Sequence, residues 1–361
     1  LLDRKIFFYI PSTFKLNNKI AFNMKKSVTI KDIAKELNVS IATVSRALRN
    51  SSEISKETKK AVLKLAKEMD YHPNLVARSL INKSSRVLGV VVPTINRQFW
   101  SNSISGIENE AYKVGYKVMI FQSAESYQKE VEIVEILANS MVDGILIAFS
   151  KETQDFAHVQ HVVDRGIPVL LFERVSEFLQ LSKVVTDDFL GAKTIVNHLI
   201  ERGKNRIAYI GGPLSLTVCM DRFLGYKSAL LENKIPFDEK LAIEISDFNV
   251  EYAGRAFKEL WESGNRPDAV FCFADVLALG VLAVSKELKI KIPFELAIAG
   301  FGNDEIAKYV SPSLTTMDQP SFQIGQLAAK LILEQINSEE KDDFLFKTEI
   351  IKPVLVIRES T

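Results

Sequence analysis

From residue 87 onward, short continuously apolar runs alternate with helix-length amphipathic segments, and this alternation restricts the fold more than any other feature. Residues 88–92, 117–121, 143–148 and 168–172 read as strands, with helices over 105–114 and 129–138 and another between 148 and 168. Strands that are apolar throughout have both faces covered, so the expectation is a parallel sheet between helices. A second series follows. Residues 184–186 lead through Asp187-Asp188-Phe189-Leu190-Gly191 into a helix over 192–202. Residues 206–210 form a strand ending in Gly211-Gly212-Pro213, 222–231 a helix, and 270–273 and 296–299 further strands. The chain thus reads as two successive open α/β units. Ligands of such sheets bind beyond the carboxyl ends of the strands, which singles out the loops 97–101, 122–125, 173–174, 211–213, 273–275 and 301–303.

Ahead of these units lies VTIKDIAKELNVSIATVSRAL, residues 28–48. Ile30, Ile33, Ala34 and Leu37 form one apolar stripe of a helix, with Thr29 as its N-cap. Asn38-Val39-Ser40 breaks the pattern, and Ser40 caps a second helix. Val44 and Leu48 share one face of it; Ile41, Ala42, Ser45, Arg46 and Arg49 occupy the others. A helix–turn–helix with small, hydroxyl and Arg side chains on its exposed second helix suits the DNA major groove, although the spacing alone equally fits a helical hairpin. Ser55 caps a third helix whose stripe is Val62, Leu65, Ala66 and Met69 and whose other sides are lysine-rich. Residues 75–81 read as a two-turn helix, too short to be stable alone, or as a plain linker.

Charge supports a polyanion-binding head on an acidic body. Residues 24–86 carry fourteen Lys and Arg against six Asp and Glu, whereas residues 87–361 carry twenty-eight against thirty-eight. No run is long enough to span a membrane. Cys219 and Cys272 read as separate buried thiols, and CxxC metal spacing is absent. Catalysis fails on inventory. None of the four histidines adjoins a nucleophile motif, Gly300-Phe301-Gly302 lacks the third glycine of a dinucleotide loop, and Gly211-Gly212-Pro213 lacks the Lys and Ser/Thr of a P-loop. No cofactor is expected. Residues 1–23 begin basic and apolar, but Pro11 and the absence of a cleavage site argue against a signal peptide. The expectation is that Met24 is the natural start and that 1–23 is disordered or spurious.

Three blocks in order, VTIKDIAKELNVSIATVSRALRN, YHPNLVARSL and LGVVVP, closely resemble the lactose repressor/galactose repressor (LacI/GalR) family of bacterial transcription regulators, and the resemblance runs through nearly all of 28–361. It implies a small all-α helix-turn-helix head (24–72), a hinge helix and linker (73–86) and a two-lobed periplasmic-binding-protein-like core (87–361). The core would have two open parallel sheets and three crossovers, with the first lobe over about 87–186 and 318–345 and the second over about 187–317 and 346–361. On DNA, the resemblance implies that Ile41 and Ala42 vary with operator sequence and that Arg46 reads a guanine through its bidentate fork. It makes Ser45 a further groove contact and Thr43, Ser55 and Thr58 phosphate anchors. Thr29, Ser40 and Arg49 complete the DNA face. Leu80, flanked by Asn74 and Ala77, would wedge into the minor groove.

For the core, the resemblance implies an effector between the lobes, touched by Phe99, Trp100, Glu173, Arg222, Asp275 and Asn303. Aromatic rings there stack on a sugar ring or base, and Arg222 holds a hydroxyl or carboxylate. Many sugar-responsive relatives have Asn-Asp at Ala274-Asp275, Gly-Phe-Asp-Asp at Gly300-Phe301-Gly302-Asn303, and Asn at Asp188, so part of the usual polar set is altered here. The expectation is a cytoplasmic, nucleoid-associated repressor. It would bind operator DNA as a homodimer, without a membrane partner, under control of a sugar or sugar derivative, with a nucleobase or phosphosugar as the open alternatives; the competing reading is a transport receptor with the same core. Tetramers of the family use a C-terminal leucine heptad tail, which residues 358–361 do not supply.

Overall fold

The computed structural model describes residues 28–71, 84–338 and 345–361. The chain divides into two compact units, residues 1–78 and 79–361. The N-terminal 23 residues and the expected hinge helix, with Asn74, Ala77 and Leu80, lie outside the described residues.

In the first unit three helices, α1 (Ile30–Glu36), α2 (Ile41–Leu48) and α3 (Lys56–Glu68), enclose a core of Ile33, Ala34, Val44, Ala47, Val62 and Ala66. Each is started by its own chemistry. The Ser40 hydroxyl accepts from the Thr43 N–H at 3.0 Å and Ser55 from that of Thr58 at 3.2 Å, satisfying donors the helix leaves unpaired. Thr29 is the N-cap of α1, as expected, and forms a capping box with Asp32: its hydroxyl and its N–H both donate to the Asp32 carboxylate, at 2.7 and 2.8 Å. Between α1 and α2 the chain reverses at Asn38, in the left-handed region at φ 50°, a conformation asparagine tolerates well.

The second unit holds a six-stranded parallel sheet in the order β11-β5-β4-β3-β1-β2 and a four-stranded parallel sheet in the order β7-β6-β8-β9. The strands of the first are β1 (Val87–Val92), β2 (Lys117–Gln122), β3 (Gly144–Ile147), β4 (Val169–Phe172), β5 (Ser182–Thr186) and β11 (Thr348–Ile351). Those of the second are β6 (Ile207–Gly211), β7 (Ala242–Glu244), β8 (Ala269–Cys272) and β9 (Ala297–Ala299). In the first sheet Val90, Leu146, Leu170 and Phe172 face α4 (Gln98–Lys113) and α11 (Ser321–Asn337). Val91, Ile145, Ile147 and Leu171 face α5 (Tyr127–Asn139) and α6 (Ala157–Asp164). Alternate residues therefore serve opposite cores, as the two-residue period of a strand requires. The two glycines where α4 and α11 cross have no room for a Cβ: one at Gly106 would strike the Phe322 carbonyl, and one at Gly325 the Ser103 carbonyl.

The second sheet is packed by α7 (Asp188–Glu201), α8 (Thr217–Glu232), α9 (Val250–Glu262) and α10 (Asp275–Glu287). The chain passes between lobes after β5, after β10 (Thr316–Asp318) and after β11. β10 pairs antiparallel with β12 (Val354–Val356), a ribbon beyond the two expected sheets. A second correction concerns the end of the chain. Thr348–Ile351, expected in the second lobe, pairs in parallel with β5 of the first, so the last crossover comes after Ile351. The first-lobe sheet needs this strand to cover the β5 edge. A third correction is that α4 begins at Gln98, so the expected loop 97–101 is largely a helical turn. Cys219 and Cys272 are both free and buried.

Candidate functional site

On the three-helix unit, burial of Val44 and Ala47 turns the opposite face of α2 to solvent. Ile41, Ala42, Arg46 and Arg49 are exposed there, and Thr43 and Ser45 are half-buried at its margin. The Arg46 Nε lies 3.2 Å from Glu53 in the α2–α3 loop, an exposed pair. Ser40 with Thr43, and Ser55 with Thr58, place paired hydroxyls at the N-termini of α2 and α3. Helix N-termini attract anions through unpaired N–H groups and the helix dipole. The outer faces of α3 add Lys56, Lys60, Lys64 and Lys67. This surface combines hydroxyls at two helix N-termini and exposed lysines with a projecting helix narrow enough for a major groove.

In the core, the carboxyl ends of both sheets border a cavity of about 340 Å³, within the usual range of about 300–1,000 Å³ for small-molecule sites. The first lobe lines it with Arg97, Phe99, Trp100, Glu125, Glu173 and Arg174; the second with Arg222, Asp247, Phe248, Phe273, Phe301 and Asp304. Three non-glycine residues on the first-lobe rim have left-handed backbone, Ala124, Glu125 and Glu173, at φ 52°, 61° and 58°. Strain of this kind collects at ligand clamps.

Arg222 forms the cavity floor. It rises from the second turn of α8, is 3% exposed, and has its guanidinium sandwiched 3.7 Å from the Phe301 ring centre and 4.4 Å from that of Phe273. Its Nε donates to Asp188 at 2.7 Å and a terminal nitrogen to the Phe273 carbonyl at 2.7 Å; Glu173 lies 3.5 Å away. Burial pushes the Asp188 carboxyl up to about 8, although Arg222 opposes the shift. Glu173 also accepts from Gln319 at 2.8 Å and Thr186 at 3.1 Å, both on crossover segments. Arg174 donates to Glu125 at 2.7 Å and lies over Trp100 and Phe248. Arg97, from the first lobe, donates to the Phe248 carbonyl of the second. Burial raises the Cys219 thiol to about 12, so it stays protonated near neutrality as a buried, structural side chain.

Comparison with known proteins decides what such a pairing of units is. Residues 29–74 match the model described as bacterial regulatory proteins, lacI family, and residues 196–361 match the periplasmic binding protein-like domain. The HTH-type transcriptional repressor PurR of Vibrio atlanticus is 35% identical over 321 residues, covering 88% of this chain and 95% of the relative. The chain belongs to the lacI family of bacterial regulatory proteins. Among solved structures, the transcriptional regulator CelR–cellobiose complex matches with a TM-score of 0.71 and 26% identity over 92% of this chain and all of that one. The Lac repressor dimer bound to operator and the anti-inducer ONPF matches with a TM-score of 0.82 and 24% identity over 93% and 99%, a likeness of fold.

As a lacI-family member the protein is a DNA-binding transcriptional repressor under small-molecule control, in a family of regulators rather than enzymes. Among the described residues no helix is long and apolar enough to cross a membrane. Of the six cleft residues expected for a lacI-family core, Phe99, Trp100, Glu173 and Arg222 line the cavity. Asp275 and Asn303 do not. Asp275 is fully buried, accepting from Thr316 at 2.5 Å and the Asp304 N–H at 2.8 Å, and burial raises it to about 7. Asn303 donates to Asp318 at 3.1 Å and accepts from Arg358 at 2.6 Å, bracing the crossover. Sequence reasoning missed Phe248, which lines the cavity against Phe273 at 5.1 Å between ring centres. It follows a three-residue strand too short to register as one, and its only signal was an aromatic residue beside the helix cap Asn249.

Proposed function

We propose that this repressor binds a near-palindromic operator as a homodimer and that a neutral sugar or sugar derivative in the interlobe cleft sets its operator affinity. One observation carries the reading: the cavity lining is drawn from both lobes. A molecule filling it touches both, binds one lobe arrangement better than another, and so shifts the population between them. A coupling of about 1–3 kcal/mol changes operator affinity roughly 5–150-fold.

On DNA, α2 enters the major groove with Ile41 and Ala42 against base edges or thymine methyls, Ser45 beside them, and Arg46 on a guanine. Thr29, Ser40, Thr43, Arg49, Ser55 and Thr58 hold phosphates and fix the register. Leu80 supplies the minor-groove wedge, with Asn74 and Ala77 beside it. In the cleft, Phe99 and Trp100 stack on the ring, and Glu173 and Arg222 take its hydroxyls. Arg97, Arg174 and Arg222 already have carbonyl or carboxylate partners, which disfavours phosphorylated ligands and supports a neutral one. The cellobiose in the CelR complex supports the sugar class. The homodimer is supported by the β2 edge, where Met119 and Ile120 are exposed beside Tyr112 and Val114, an apolar edge of the kind proteins cover. The repressor acts in the cytoplasm, on the nucleoid when DNA-bound.

The test is selection of duplexes from a random-sequence pool by the full-length protein, followed by a thermal-shift screen of sugars and their phosphates. A selected near-palindrome and a shift with a neutral sugar are expected. Absence of any selected duplex at low salt would overturn the operator reading, and a shift only with phosphates the effector class.

A further inference from the structure

At the end of the first-lobe sheet opposite the cleft, the chain enters the core through Ser84, Ser85 and Arg86, and one side chain grips all three. The Asp143 carboxylate, just ahead of β3, accepts from the Ser84 hydroxyl at 2.5 Å, the Ser85 N–H at 2.6 Å, the Ser85 hydroxyl at 2.8 Å and the Arg86 N–H at 3.1 Å. Arg86 has left-handed backbone, φ 57°. Its guanidinium lies 5.1 Å from the Tyr116 ring centre and donates to the Val114 carbonyl at 3.3 Å.

β1 does not need this grip. The sheet already fixes the start of the strand through the Asp143 N–H on the Val87 carbonyl and the Lys117 N–H on that of Arg86, both at 2.8 Å. The second lobe provides an internal comparison. Asp268, just ahead of β8, accepts from the N–H groups of Asn205 and Arg206 ahead of β6, at 2.8 and 2.9 Å. That is the same two-amide clamp at the same place in the topology, and it secures an ordinary helix-to-strand turn. The first lobe adds two serine hydroxyls on the same carboxylate. It adds them where the chain arrives from the DNA-binding unit.

We infer that Asp143, with Ser84 and Ser85, is a positioning clasp that fixes the core end of the connection to the DNA-binding unit, so that operator binding depends on it. The inference rests on the operator reading above. A short segment that folds on DNA loses less freedom when one end is already held, whereas non-specific phosphate binding needs no such fixed end. The clasp therefore acts on specific binding alone.

The test uses full-length Asp143→Asn, Ser84→Ala/Ser85→Ala and Asp268→Asn proteins. Affinities are measured for the duplex selected by the wild type and for a scrambled duplex of equal length. Having to order one or two residues on binding, rather than finding them already held, lowers affinity about 10–100-fold. Asp143→Asn and the double serine variant should each lose about that factor on the selected duplex and nothing on the scrambled one. Asp268→Asn should lower thermal stability without changing the ratio. If Asp143→Asn fails to fold, the serine pair decides, since it leaves both amide bonds intact. An unchanged ratio in the serine variant, equal losses on both duplexes, or the same specific loss in Asp268→Asn each overturns the clasp. If the wild type selects no duplex, the operator reading itself falls; if it selects one and the variants keep it, only the clasp does.

Discussion

Replacing Arg222 by methionine keeps a slender side chain between Phe273 and Phe301 and removes the charge. What remains is Asp188, 3% exposed, facing the place where its guanidinium partner was. Glu173 keeps Thr186 and Gln319, so the uncompensated burden falls on Asp188. Breaking a buried pair from one side costs about 3–5 kcal/mol. At roughly 2 °C per kcal/mol for a core of this size, the melting temperature should fall by about 6–10 °C. Arg222→Ala is therefore not a clean probe of effector response, because stability changes too. Adding Asp188→Asn removes the stranded charge and should restore most of the loss, giving a coupling above about 2 kcal/mol in the double-mutant cycle. The pH dependence has a definite sign. Without Arg222 the Asp188 carboxyl lies further above its unfolded value. Stability is then greatest at low pH and lost as pH rises through the folded value; wild type and variant fall together until wild-type Asp188 ionises at about 8, so the gap should widen above about pH 8. Urea melts of the four proteins, followed by circular dichroism, read all of this. A single-variant loss under about 1 kcal/mol, or additive effects in the cycle, would refute the reasoning.

Asp275 carries a related prediction. Burial raises it to about 7, so its contribution to stability is lost as pH rises through that value. Asp275→Asn should flatten the fall in urea midpoint between about pH 4 and 7; an unchanged slope would show that Asp275 is not its source. Gly325→Val drives a side chain into the Ser103 carbonyl and should destabilise the core by about 3 kcal/mol or more, read as a lowered core transition in thermal melts. Glu53→Gln removes an exposed negative charge beside Arg46. It should leave stability within about 0.5 kcal/mol while raising scrambled-duplex affinity at low salt, measured by anisotropy.

The three-helix unit was legible because its signals are local: hydroxyl caps at Ser40 and Ser55 and apolar stripes at helical spacing. Strands β1, β3 and β4 were legible because burial on both faces leaves no polar residue to confuse the period. β11 was not, because its partner β5 lies more than 150 residues earlier and edge exposure breaks the apolar run. The start of α4 was obscured because Arg97 gives it no side-chain cap. α10 is so uniformly apolar over its first turns that it carries no helical period to read. At the cleft, strand-end position told which loops arrive but not which way a side chain turns. Glu173 and Asp275 are both acidic residues at strand ends, yet one lines the cavity and the other is sealed behind it.

That β11 comes from the far end of the chain has a consequence for synthesis. The three-helix unit, and then the second-lobe segment from β6 to β9, can form from contiguous sequence as it leaves the ribosome. The first-lobe sheet cannot be completed until Thr348–Ile351 has been made. During that interval β5 is an open edge, the kind of transient surface on which nascent chains mispair. A message cut short before residue 348 thus yields a head able to fold joined to a first lobe with an unpaired edge, a product suited to aggregation rather than to blocking a promoter.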